Sequence, residues 1–403
     1  MKKKKILFVE SSATDIVAKI AYVLKKKGYE TSLFTIIHTE SNFYSSAYNK
    51  IITLDFKFFR LEIKNSIKIF NYGLKKSLKI LKGLYNLKKL KPDIIIVRTT
   101  PNWLFSIVKK GFNNYPIIYY PYDIRSFCYD NYDEAIKLGI PNFEIRSERD
   151  AFEKADGILH KGNPGELKKL DSKVFLKEIK IKCPIIHFYP YCLKEFNITP
   201  NTKKTKKDKD IHIVFVGHVE FDENYCSQME KIIEQKMHLH LYCKTANLSV
   251  EEIQKKMHNN KKIIKLLKTK YLHIHDQVSQ EELSKEISKY DYGLWFDGSN
   301  GNNEKKGITE ATGNKMASFF EAGLPFFYPD NSLAIHNIMK KYYLNLSFNI
   351  KNLNKLKSRI DKLDEAKLKN KVLKARKDFD LEKNMPRLEK FFEEVIEYKK
   401  INE

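Results

Sequence analysis

The stretch Glu310 to Pro325, EATGNKMASFFEAGLP, carries residue types able to hold a charged ligand. Lys315 to Ala322 reads as a helix, which Gly323 stops and Pro325 prevents from continuing. Asn314 or Thr312 offers a side-chain cap for its start. The helix therefore begins beside Gly313, Asn314 and Lys315. A helix start presents unpaired N–H groups and about half a positive charge. Gly313 permits close approach of backbone to ligand, and Lys315 adds a full charge. Together these make a cradle for a diphosphate. A glycine before a helix is also ordinary loop punctuation, and that reading stays open.

Other candidates stand at the ends of apolar runs. PYDIRS (121–126) follows PIIYY, which puts Tyr122, Asp123 and Arg125 at the carboxyl end of a strand, where α/β proteins bind ligands. Arg125 can steady an anion through its forked donors; an Asp–Arg turn that only organises the loop is the alternative. Asp297 follows YGLWF (292–296) in the same manner. Asp15 comes shortly after the first strand, which ends at Glu10, and is also a natural N-cap.

The elements that must position these residues alternate along the chain. ILFV (6–9), TSLFTI (31–36), DIIIV (93–97), PIIYY (116–120), DGILH (156–160) and IIHFY (185–189) are short apolar runs separated by helical patterns, one of them from Asp15 to Lys27 and closed by Gly28. Such runs signal parallel strands covered on both faces. The polar stretch NTKKTKKDKD (201–210) interrupts the pattern and reads as an exposed boundary loop. The pattern then restarts with IHIVFVG (211–217), LHLYC (239–243), LHIH (272–275), YGLWF and PFFY (325–328). The expected fold is α/β, with two Rossmann-like domains, 1–198 and 199–384. Residues 385–403 form an amphipathic helix with Pro386 in its first turn and Leu388, Phe391, Phe392, Val395 and Ile396 on one face.

The Glu310–Pro325 stretch resembles the donor-binding signature of GT-B glycosyltransferases, the family 4 group above all. Some members read approximately NKxxEYxAAGxPV, and many carry Glu-x7-Glu followed by AxAxGxP. Asn314, Lys315, Ala322, Gly323 and Pro325 match. Glu310 stands at the first glutamate, and Ser318 replaces the second, which in the family contacts the donor ribose. Glu321 is the candidate substitute, or a solvated or capping carboxylate. SERDAFEKADGILHKG (147–162), HFYPYCLKEF (187–196), IVFVGHV (213–219) and LHIHDQVSQEELSKEISKYDYGLWF (272–296) resemble further family segments in the same order. The resemblance implies two domains facing each other across a cleft, with the last helix crossing back to the first.

It also implies site residues. Gly217 and His218 occupy the place of the family's glycine and phosphate-binding arginine; a structural histidine at a strand end is the alternative. Tyr122 and Asp123 occupy the place of a His-Asp pair found in retaining members. Asp15 stands near the base of inverting members, which deprotonates the acceptor hydroxyl. Family 4 resemblance favours retention, with Glu310 then taking part. No metal is expected: the five cysteines form no CxxC pair, no His/Cys spacing resembles a zinc site, and DFD (378–380) reads as helix surface.

Of 403 residues, 74 are Lys or Arg and 50 are Asp or Glu, a net charge of +24. An anionic partner is one reading, and an AT-rich genome that favours Lys, Asn and Ile is the other. The lysines are spread along the chain without a nucleic-acid module, so no nucleic acid is expected. Between Lys57 and Lys91 stand eleven Lys or Arg and one acid, Glu62. There Ile63, Ile67, Phe70, Leu74, Leu78, Leu81 and Tyr85 recur at helical spacing, widened by Leu87. This is a helix packed on the sheet with a solvated basic face, or a surface docking on anionic lipid. No stretch approaches the roughly 20 apolar residues of a membrane span, and the expected location is cytoplasmic, free or peripheral on the membrane. The expected activity is transfer of a sugar from a nucleotide sugar to a glycan or lipid-linked acceptor; a non-catalytic GT-B scaffold and a basic nucleic-acid-binding protein are the rivals.

Overall fold

A computed structural model describes the chain from Lys4 to Asn402, except residues 38–40, 54–82, 84, 86, 100, 122, 164, 171, 200–207, 218, 220, 243–260, 277 and 299–311. It divides into two compact units, Met1–Tyr189 with Asn384–Glu403, and Pro190–Lys383.

The first unit is built on seven parallel strands: β1 (Lys5–Ser12), β2 (Glu30–Ile37), β3 (Lys50–Thr53), β4 (Ile94–Thr99), β5 (Ile117–Pro121), β6 (Gly157–His160) and β7 (Ile185–His187). Their order is β3-β2-β1-β4-β5-β6-β7. Ile6 to Val9 and Ile94 to Val97 are all buried, because helices cover both faces of a parallel sheet. The helix Asp15–Lys26 packs Ile16, Val17, Ile20, Val23 and Leu24 inward. β3 was not anticipated: KIIT is four residues of edge strand, half-exposed, with too little apolar alternation to stand out. Most of the basic segment 57–91 lies outside the described residues. At its end Leu87 enters the core, whereas Tyr85, expected on the same apolar face, is 62% exposed.

The C-terminal helix runs Leu381–Ile401. Leu388, Phe391, Phe392 and Val395 are buried within the first unit. Gly157 explains the close seat on β6: a Cβ there would collide with Val395 Cγ2 and stand 3.0 Å from Phe391 Cζ. Lys27–Glu389 at 2.5 Å and Lys4–Glu393 at 3.4 Å edge this contact. The helix starts earlier than expected, so Pro386 lies in its second turn rather than its first. Lacking an N–H, Pro386 donates no hydrogen bond to the preceding turn.

The second unit repeats the plan with β8 (His212–Val216), β9 (His238–Tyr242), β10 (Leu272–His275), β11 (Tyr292–Leu294), β12 (Phe326–Pro329) and β13 (Ser347–Phe348), in the order β10-β9-β8-β11-β12-β13, all parallel. Residues 190–198 belong here and not, as the sequence suggested, with the first domain. They are held by the Leu193 N–H to Glu321 Oε1 bond at 2.7 Å, the Ile198 N–H to Glu321 carbonyl bond at 2.9 Å and the Leu381 N–H to Cys192 carbonyl bond at 2.9 Å. DFD (378–380) is a helix junction rather than helix surface: Phe379 is buried and Asp380 accepts from the Lys383 N–H. Among the described residues, no helix is long and apolar enough to cross a membrane.

Candidate functional site

In each sheet the strand order reverses direction beside its first strand, between β1 and β4 and between β8 and β11. Parallel sheets open a crevice outside the carboxyl ends of the strands at that point. In the second unit Gly217 follows β8 there, with φ +121. A Cβ at this position would stand 2.7 Å from Lys315 Cε and push the lysine aside, and the φ of +121 itself favours glycine. Lys315 Nζ sits 4.3 Å from the Phe215 ring centroid and 5.1 Å from that of Trp295. Trp295 in turn requires Gly313, whose Cβ would be 2.7 Å from the indole.

The helix bearing Lys315 runs Asn314–Glu321, one residue earlier than expected at its start and shorter by one at its end. Its N-cap is Gly313 rather than Asn314, and a glycine has no side chain with which to cap the helix itself. The first-turn N–H groups carry the positive end of the helix dipole. Burial lowers the Lys315 pKa to about 8. Among the described residues it has no carboxylate partner; two aromatic faces replace only part of its lost hydration. A partly buried cation beside a helix start with a glycine N-cap is a receptor for an anion.

Other candidates on this side do different work. Glu321 is fully buried; Oε1 accepts from the Leu193 N–H and Oε2 from Ser284 Oγ at 3.5 Å. Arg376 binds the carbonyls of Glu321 and Ile198 at 3.1 and 2.8 Å. Glu321 therefore anchors the 190–198 segment; it is not solvated, and it receives the N–H of Leu193, the N-cap of the short 3-10 helix Lys194–Phe196. Ser318 is buried and folds its hydroxyl back to the Asn314 carbonyl at 3.4 Å. Asp297 is buried just beyond β11. Gln228 bonds its N–H and carbonyl at 2.9 Å each, Asn224 bonds the carbonyl at 2.7 Å, and Asn331 lies 3.4 Å from each carboxylate oxygen.

In the first unit Asp123 pairs with Lys161 at 2.9 Å, and its side chain is 54% exposed. Asp15 follows the N-cap Thr14 and accepts from Tyr44 Oη at 2.8 Å. The strand ends hold a buried pair that sequence reading only half saw: Glu10 on β1 and Arg98 beside it on β4, 3.5 Å apart. Thr14 donates to Glu10 through its hydroxyl at 2.5 Å and its N–H at 3.3 Å. Burial outweighs Arg98 and these bonds and raises the Glu10 carboxyl to about 7. Arg98 was missed, although a charged residue closing IIIVRT was its signal. Phe215 and Trp295 were missed because they read as ordinary strand residues. Glu310, His218 and Tyr122 lie outside the described residues, as does the side chain of Arg125.

No family model matches the sequence, and no curated protein resembles it closely enough to match. Solved structures do match over almost the whole chain. A sucrose-phosphate synthase from Thermosynechococcus elongatus aligns with TM-score 0.68 at 12% identity, covering 98% of this chain and 99% of that one. A glycosyltransferase from Rickettsia africae aligns with TM-score 0.60 at 13% identity, covering 98% and 99%. Anabaena HepE, solved with UDP and glucose, aligns with TM-score 0.60 at 10% identity, covering 93% and 94%. Two parallel Rossmann-like units of seven and six strands, matched across their length by such proteins, give this chain the GT-B fold of glycosyltransferases.

Proposed function

We propose that the protein is a glycosyltransferase whose second unit binds the diphosphate of a nucleotide sugar. The observation that carries this reading is Lys315, a partly buried cation with no carboxylate partner among the described residues, laid over Gly217 at a helix start whose N-cap is Gly313. Gly217 and Gly313 make room for Lys315 and for Trp295 beneath it, and the first-turn N–H groups of Asn314 and Lys315 supply donors for phosphate oxygens. UDP and glucose in HepE, a structure of the same fold, support a uridine or similar nucleotide and a hexose. The acceptor belongs to the first unit in this reading, where Glu10, Arg98 and Asp123 stand at strand ends. A glycan or lipid-linked acceptor, a retaining mechanism of the family 4 type and peripheral attachment through the basic 57–91 segment extend the proposal. No bound metal is required, because the cationic charge is supplied by Lys315 and the helix start.

A thermal-shift screen with UDP, GDP, CMP, dTDP and their sugars tests it. Stabilisation by one nucleotide, absent in Lys315→Met, is expected; no response to any of them refutes the donor site. The packing of Ser318 against its own helix supports a second reading, a GT-B-shaped scaffold that has lost its ribose contact. Nucleotide binding without transfer or hydrolysis of any nucleotide sugar distinguishes it.

A further inference from the structure

The second sheet carries a feature that donor binding does not use. HLHLY on β9 and LHIH on β10 alternate histidine with aliphatic residues, so His238 and His240 share one face, as do His273 and His275. In register, His212 lies beside His238, and His240 beside His273. Five of the eleven histidines thus form one polar seam across three strands, with ring centroids of His240 and His273 4.3 Å apart and those of His212 and His238 4.5 Å apart. The rings bond one another: His212 Nδ1 to His240 Nε2 at 2.9 Å, His240 Nδ1 to His275 Nε2 at 2.8 Å, and His238 Nδ1 to His273 Nε2 at 2.8 Å.

At the amino edge of the sheet the two leading rings turn their Nε2 atoms towards carboxylates. His212 Nε2 lies 3.0 and 3.1 Å from the Asp208 oxygens, and His238 Nε2 lies 3.3 Å from Asp210 Oδ2. One ligand atom from each of Asp208, His212 and His238 falls within 4.8 Å of the others.

We propose that Asp208, His212 and His238 bind one divalent transition-metal ion of the zinc type, at the end of β8 opposite Gly217. Two imidazoles and a carboxylate are the donor set that zinc and its neighbours prefer, with a further position left for water. Metal–nitrogen and metal–oxygen bonds of about 2 Å place ligand atoms about 3–4 Å apart, so the three must draw in by about 1 Å. Asp208, whose side chain is 46% exposed among the described residues, is the ligand with most freedom to make this shift. The seam supplies the outer shell. When an Nε2 binds metal, the proton sits on Nδ1, and the Nδ1 atoms of His212 and His238 already face the Nε2 acceptors of His240 and His273. The His212–His240–His275 chain then carries its protons in one direction, with every ring–ring bond kept. Because β8 spans five residues at about 3.3 Å each, the ion is separated from the diphosphate end by more than about 13 Å. Its role is to close the amino edge of the sheet rather than to take part in transfer.

The test uses the full chain, freed of any affinity tag and stripped with chelator, then titrated with Zn2+ by calorimetry and with Co2+ by visible absorption. One ion per chain is expected, with Co2+ giving the d–d bands of a low-coordinate site. Asp208→Ala, an exposed change that leaves the fold intact, and His238→Gln, checked for folding by circular dichroism, are each expected to weaken binding by about tenfold or more. Lys315→Met is expected to leave it unchanged, which separates this site from the proposed donor site. Absence of saturable binding, or binding that survives Asp208→Ala undiminished, would show a hydrogen-bonded histidine seam without a metal site and overturn the proposal.

Discussion

Replacing Lys315 by methionine should make the ligand-free protein more stable at neutral pH while abolishing nucleotide binding. Methionine keeps an unbranched stem of similar length, so the contacts with Phe215 and Trp295 survive. What it removes is a charge held in a poor environment. The pKa falls from 10.5 to about 8 on burial, which corresponds to a cost of about 3 kcal/mol when the lysine is charged in both states. Loss of the two cation–π contacts returns about 1 kcal/mol of that. A net gain of about 1–3 kcal/mol shifts the second unit's midpoint upward by several degrees, at about 3 °C per kcal/mol. The sign follows from a base whose folded pKa is depressed. The cost is fully present below about 8 and is relieved as pH rises towards 10.5. The advantage of methionine should therefore shrink to about 1 kcal/mol or less near pH 10. Nucleotide affinity of the native protein should fall over the same rise through pH 8, as the free lysine loses its proton. Urea denaturation at pH 7 and pH 10, with and without the nucleotide found by screening, measures all of this. A variant that is less stable at pH 7, or a gain equal at both pH values, or equal nucleotide stabilisation of both proteins, would refute the assignment.

Gly217→Ala should abolish nucleotide stabilisation with Lys315 still present, because its Cβ would stand 2.7 Å from Lys315 Cε at a φ of +121; thermal shift reads this. Glu321→Ala should destabilise the second unit by about 1–3 kcal/mol, since the Leu193 N–H loses its buried acceptor, and should change nucleotide Kd little. A large loss of affinity at unchanged stability would instead assign Glu321 to the ribose. The Glu10 carboxyl should titrate near 7 by carboxyl 13C NMR. In Arg98→Met it should titrate higher still, because the positive charge that favours its ionised form is gone; an unchanged value would show that the two groups do not interact.

Much of the architecture was legible because a parallel strand buried on both faces writes itself as a continuous apolar run. ILFV, IIIV and IIYY could be placed without any knowledge of their neighbours, as could IVFV and FFY. β3 and β13 could not, since a half-exposed edge strand and a two-residue strand leave no such run. Lys315 was legible too, by its place between Gly313 and a stretch of helix. Glu321 shows the boundary of that method. Its spacing on the helix suggested a ligand contact, yet its partners, Leu193 and Ser284, are distant in the chain.

The amino-acid sequence alone determined where the chain is apolar, where several of its helices lie to within a few residues, and which charged residues stand near their starts. Tertiary structure alone decided how far those charges are buried and what they face: Lys315 over aromatic rings, Glu10 against Arg98, Asp208 beside His212 and His238. The division is physical. Periodicity and capping act between residues a few positions apart, whereas a side chain's protonation and partners depend on the dielectric and the dipoles that folding brings to it from elsewhere in the chain.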